Sequence, residues 1–154
     1  MPFVSDMTQT LHKLLRGEMA AVEAYEEALR RLPPTDSDVG TLTRITREHA
    51  EAVDILREHL ANEGEEPDRS SGAWGAYARL LERAGEWVGD DLGLKMLNEG
   101  EVHGLSDYRT SLGHEDLPSE LRRSIEKVLI PRQQEHIATM DKVLKARERT
   151  RHGT

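Results

Sequence analysis

Two glutamates, two histidines and two tyrosines stand at positions whose neighbours along a helical repeat are apolar, and they come in matched pairs. Glu18 and Tyr25 recur as Glu101 and Tyr108 with the same spacing, and Glu48-His49 recurs as Glu135-His136. Their surroundings repeat as well. Leu11, Leu14, Gly17 and Leu29 align with Leu94, Leu97, Gly100 and Leu112. At a slightly longer offset, Leu42, Val53 and Asp54 align with Leu129, Met140 and Asp141. A lone carboxylate in an apolar seam needs a partner or a proton. Carboxylates beside imidazoles have two uses: they can ligate a divalent metal ion, or they can satisfy one another and the tyrosine hydroxyls as a buried polar network.

The elements that must position these residues are helices. Leu11, Leu15, Glu18, Val22, Tyr25, Leu29 and Leu32 alternate four- and three-residue steps, the seam of an antiparallel bundle. The pattern predicts a first helix over 7–32, capped by Ser5 or Asp6 with Gln9 and ended by Pro33-Pro34. A second helix is expected from 37 or 38 to 63, with Gly64 as its stop and Leu42, Ile45, His49, Ala52, Val53, Leu56 and Leu60 inward. After a polar loop, Trp74, Tyr77, Leu81, Ala84 and Val88 mark a shorter helix over 72–88. Gly89-Asp90-Asp91 should break and cap into a third helix over 91–112, with Leu94, Leu97, Glu101, Leu105, Tyr108 and Leu112 as its seam. A fourth is expected over 118–145, opened by Pro118 and bent by Pro131 just before His136. Residues 1–147 read as one domain and 148–154 as a frayed, solvated tail that begins near Arg147. The long connector between the second and third helices favours an all-α bundle with one crossover over a simple up-down-up-down chain.

Composition narrows the function classes. With 32% charged residues and only 4% aromatics, the 154-residue chain has the profile of a helical bundle. A net charge of −8 argues against nucleic acid or an anionic membrane as partner. No apolar run approaches the ~20 residues that span a bilayer, and the opening residues lack a charged-then-apolar export pattern. Without cysteine there is neither a disulfide nor a thiolate metal site, and a cytoplasmic domain is the expectation.

The chain resembles the ferritin-like superfamily, bundles of the rubrerythrin and bacterioferritin kind. It is most similar to a group of uncharacterised bacterial four-helix-bundle proteins. Arg16-Gly17-Glu18 with Tyr25, Arg47-Glu48-His49-Ala50, the Trp-containing connector, Asn98-Glu99-Gly100-Glu101 with Tyr108, and Gln134-Glu135-His136 carry the resemblance over nearly the full length. It implies a ferritin-like four-helix bundle of two repeated hairpins with a long crossover, and pairing of bundles into a homodimer. It also maps Glu18, His49, Glu101 and His136 onto metal-ligand positions, with Tyr25 and Tyr108 behind them. The departure is specific. Di-iron members place a bridging glutamate three residues before each histidine, and here those positions hold Thr46 and Gln133. Two glutamates and two histidines can hold one ion (Fe, Mn or Zn), whereas a di-iron oxidoreductase is disfavoured.

Glu48 and Glu135, about 100° around the helix from the histidines, are expected to point elsewhere. Glu51 with Asp54 is an alternative acidic pair, which Ala138 breaks in the second half. Glu99 and His103 read as an exposed one-turn pair, and His12, His59, His114 and His152 as surface or loop residues. Trp74 and Trp87 would clamp the connector helix to the bundle or to a neighbouring subunit. No nucleophile triad or phosphate-binding loop points to an enzyme. Two functions therefore compete: a bundle holding a divalent metal at a central Glu/His cluster, and a metal-free scaffold or interaction bundle whose cluster is a hydrogen-bond network.

Overall fold

The computed structural model describes residues 6–67, 69 and 91–152. Among them the chain is all-helical: α1 (Asp6–Arg31), α2 (Val39–Asn62), α3 (Leu92–Ser111), and a fourth rod made of α4 (Ser119–Ser124), a π-helical turn (Ile125–Leu129) and α5 (Ile130–His152). The short helix expected over 72–88, with Trp74 and Trp87, lies outside the described residues. No described helix is long and apolar enough to cross a membrane.

The breaks follow from backbone chemistry. Pro33 and Pro34 cannot extend α1, and the chain turns with Asp36 Oδ1 accepting the Asp38 amide at 2.9 Å. Gly64 ends α2 at φ +76°, a backbone conformation strained for residues with a side chain, and two amides close the last turn. Glu65 N–H donates to Leu60 O and Gly64 N–H to Ala61 O, each at 3.0 Å. Asp91 precedes α3 as expected, in the left-handed region at φ 57°, but its carboxylate makes no cap hydrogen bond. It turns instead toward two arginines of α5.

The fourth rod departs from a regular helix. Its inward residues Leu121, Ile125, Leu129 and Gln133 are spaced by fours, and each four-residue step swings about 40° beyond a full turn of α-helix. The wider π turn absorbs that drift, with Ile130 N–H donating to Ile125 O. It lies just before Pro131, whose ring would crowd the carbonyl four residues back in a tighter turn. The distortion expected near Pro131 is thus a π turn that brings Gln133, His136 and Met140 inward.

Side-chain pairs set the helix directions. Tyr25 meets Glu101 while Glu18 meets Tyr108, and Thr10 meets His114, so α1 and α3 are antiparallel. Arg44 with Glu135, Glu51 with Arg132 and His59 with Ser124 make α2 antiparallel to the fourth rod. Asn98 with Asp141 and Arg122 with Leu112 O do the same for α3. Since α1 and α2 form a hairpin, α2 and α3 point the same way, and Asn62 and Leu92 stand at opposite ends of the bundle.

The core is split in two. Leu11, Leu15, Leu56, Leu60, Leu121 and Ile125 centre one apolar cluster; Ala28, Leu42, Ile45, Leu94, Leu97 and Met140 centre the other. Each fully buried leucine or isoleucine stabilises the fold by roughly 1.5–3 kcal/mol. Buried polar residues lie between the clusters, and α1, α2, α3 and α5 each contribute.

α5 continues to His152, through residues that the sequence suggested would fray, and 148–151 are exposed. Arg147 reaches Asp38 at 2.9 Å, Asp91 at 2.9 Å and Asp36 at 3.2 Å, and Arg151 reaches Asp91 at 2.8 Å. Charges that read as solvated in sequence close the bundle end, tying the α1–α2 turn and the start of α3 to α5.

Candidate metal centre

Glu18, His49, Glu101 and His136 are all buried at the middle of the bundle, as their seam positions predict. The two tyrosines cross between α1 and α3. Tyr25 donates its hydroxyl to Glu101 Oε1 at 2.9 Å, and Tyr108 donates to Glu18 Oε1 at 2.7 Å. The same two residue types thus bond in both directions between α1 and α3.

His49 lies between both glutamates. Its Nδ1 is 2.6 Å from Glu18 Oε2 and its Nε2 is 2.5 Å from Glu101 Oε1. Ionised carboxylates only accept hydrogen bonds, so both ring nitrogens carry protons and His49 is an imidazolium. Burial alone pushes its pKa down, but the Glu101 and Glu18 charges outweigh that and hold it well above the ordinary value of 6.5. The same pairing acts on Glu101. Burial would raise its carboxyl, yet His49 and His136 bring it down to about 2. Tyr108 is shifted well upward by burial and by the Glu18 charge, and stays a neutral donor.

His136 extends the chain of contacts outward. Its Nδ1 is 3.2 Å from Glu101 Oε2, and its Nε2 is 2.8 Å from Glu48 Oε1. Glu48 therefore does not point away, contrary to its sequence reading. Each rod faces two neighbours at a wide angle, so a residue 100° from a centre-facing histidine lies on the flank that meets the adjoining rod. Burial would raise the Glu48 carboxyl, but the His136 hydrogen bond and nearby Arg44 hold it below the ordinary carboxylate value. Arg44 Nη1 lies 3.5 Å from Glu48 and 3.3 Å from Glu135, whose side chain is 61% exposed and does point away from the histidines.

The positions lacking a bridging glutamate have other uses. Thr46 donates its hydroxyl back to Leu42 O at 2.7 Å. Gln133, buried, donates Nε2 to the main-chain oxygen of Glu101 at 2.9 Å. Gly104 leaves room for that bond: a Cβ there would stand 2.7 Å from Gln133 Nε2, so the amide would have to shift. Glu51 is drawn to Arg132 at 3.0 Å and, like exposed Asp54, takes no part in the centre. His103 pairs with Asp107 at 3.4 Å rather than with Glu99. His59 and His114 bond Ser124 and Thr10.

Among the described residues, His49, Glu101 and His136 form a group whose ligand atoms all lie within 4.8 Å of one another. This group can hold a metal ion. Glu18, which the resemblance maps onto a ligand position, is set one step back on the far nitrogen of His49. Glu48 stands in the matching place behind His136, and this role was missed in the sequence. On the α1–α3 side, a cavity of about 50 Å³ lined by Gly17, Ala21, Ala24, Gly100 and Gly104 reaches Glu18, His49 and Glu101.

Comparison of the chain with known protein families, with curated proteins and with solved structures found no match.

Proposed function

We propose that this protein is a ferritin-like bundle that binds one divalent metal ion through His49 Nε2, Glu101 and His136 Nδ1. The observation that carries the reading is the way both imidazoles are held. Each turns one nitrogen toward Glu101 and has the other bonded to a separate carboxylate, Glu18 or Glu48. Carboxylate–histidine pairs of this kind orient metal-ligating rings and raise their basicity. The donor set is two nitrogens and one oxygen, suited to Zn, Fe or Mn. Tetrahedral ligands at ~2.1 Å from an ion stand roughly 3.4 Å apart. His136 and His49 stand 3.2 and 2.5 Å from different oxygens of Glu101, and the candidate ligand atoms all lie within 4.8 Å of one another, so a single ion would draw one of those oxygens and both rings into the tetrahedral spacing.

A bound ion would supply a Lewis acid with an open coordination position, since the protein offers three ligands and the α1–α3 cavity leaves that side unfilled. The chain's own part is to exchange a proton for the ion: His49 must give up its Nε2 proton while Glu18 keeps the one on Nδ1. Uptake should therefore release acid and strengthen as pH rises. Thr46 and Gln133 offer no bridging carboxylate, which supports one ion over a di-iron pair. The ferritin-like arrangement is supported by the parallel course of α2 and α3 and by the reciprocal tyrosine–glutamate bonds.

A second reading, a metal-free interaction or scaffold bundle, is favoured by one observation. As an imidazolium, His49 satisfies Glu18 and Glu101 with no ion. Metal analysis of protein purified without a histidine tag separates the two. The metal reading expects one Zn, Mn or Fe per chain, lost in Glu101→Ala/His136→Ala. It also expects stabilisation by ~2.7 kcal/mol at a hundredfold excess over Kd, which raises the melting temperature by about 5–10 °C. Unchanged melting at saturating metal leaves the scaffold.

A further inference from the structure

We propose that Glu48 is the positioning residue that selects which nitrogen of His136 faces the metal, an inference that rests on the metal reading above. Its carboxylate is 2.8 Å from His136 Nε2. An ionised carboxylate can only accept, so Nε2–H donates to Glu48, and Nδ1, 3.2 Å from Glu101, is the nitrogen that an ion at the centre would meet. The ring is 2% exposed, so protein groups and not bulk water decide the tautomer.

His49 follows the same rule with its nitrogens exchanged. Glu18 takes Nδ1, and Nε2 faces the centre. The two histidines thus present opposite nitrogens to one ion, and in each the choice is made by the carboxylate behind the ring. The carboxylates differ in how they are held. Glu18 lies in the seam, fixed by the Tyr108 hydroxyl. Glu48 reaches from the flank of α2 to α5, and the oxygen that accepts from His136 is the one Arg44 approaches at 3.5 Å. A surface glutamate one turn from an arginine would form that ion pair without any histidine. What the pair does not require is the second contact, to a buried ring on another helix.

The test uses the full chain as wild type, Glu48→Ala, Glu48→Gln and Glu135→Ala, with zinc affinity measured by chelator competition. Loss of the carboxylate behind a metal-bound histidine weakens binding about 10–100-fold, and that loss is expected for Glu48→Ala. Glu48→Gln should recover most of it, because an amide oxygen still accepts from Nε2–H. Glu135→Ala should stay within about twofold of wild type, since Glu135 touches neither histidine. Long-range proton–nitrogen NMR of zinc-loaded wild type should show His136 protonated at Nε2 and metallated at Nδ1, a readout that does not require any variant to fold. Zinc bound as tightly by Glu48→Ala as by wild type, or His136 metallated at Nε2, overturns the proposal and leaves the metal reading standing. A wild type that takes up no zinc overturns both.

Discussion

Replacing Glu101 by glutamine keeps the shape of the centre and removes its most enclosed charge. The side chain is 1% exposed and accepts from Tyr25 and His49, with His136 close by. Its carboxyl is held at about 2 against an ordinary 4.5. At ~1.4 kcal/mol per pKa unit, that difference is worth about 3 kcal/mol once the group is fully ionised. The cost of breaking a buried ion pair, ~3–5 kcal/mol, agrees. The sign fixes the pH window. A carboxyl with a lowered folded pKa stabilises above its unfolded value and loses that contribution as pH falls through the folded value. The gap between wild type and Glu101→Gln should therefore be full above about pH 4.5 and close toward pH 2. His49 works in the opposite sense. With its pKa raised, its contribution is complete below about 6.5 and fades as pH rises through the folded value. It is the same pair seen from the other partner, so the two contributions are not added. Urea unfolding of metal-free protein between pH 7 and pH 2 measures the gap. A difference below ~1 kcal/mol at neutral pH, or one that does not shrink in acid, would show that Glu101 carries no charge against His49.

Two further expectations concern the frame around the centre. Leu56→Ala, at a fully buried position of the cluster below the polar layer, should cost ~2–5 kcal/mol in urea unfolding; a loss under ~1 kcal/mol would mean that cluster is not packed as described. Arg147→Ala removes a guanidinium held by three aspartates yet 25% exposed, so solvent screening limits the expected loss to ~1–2 kcal/mol. It should be accompanied by faster amide exchange over 147–152, and unchanged exchange there would refute the clamp.

Much of the site was legible because helical periodicity is a property of one chain segment. Glu18, Tyr25, Glu101 and Tyr108 share seams with leucines, His49 shares one with Leu42, Ile45 and Leu56, and all are buried. The repeat also signalled that the tyrosines and glutamates belong together. Pro33, Pro34 and Gly64 marked breaks because their backbone limits act whatever the packing. The π turn had a trace in the run of four-residue steps from Leu121 to Gln133, and the Gly104 opening beside Gln133 had none.

Partnership between helices obeys a different rule. Glu48 and Glu135 each precede a histidine in matching stretches of sequence, yet Glu48 meets a buried ring on another helix while Glu135 stays largely exposed beside Arg44. Likewise Arg147 reads as a solvated charge until the α1–α2 turn and Asp91 arrive beside it. Periodicity tells which face of its own helix a residue occupies. Which atom of another helix it meets, and so which histidine nitrogen carries a proton, is set by the direction and register in which the four rods pack.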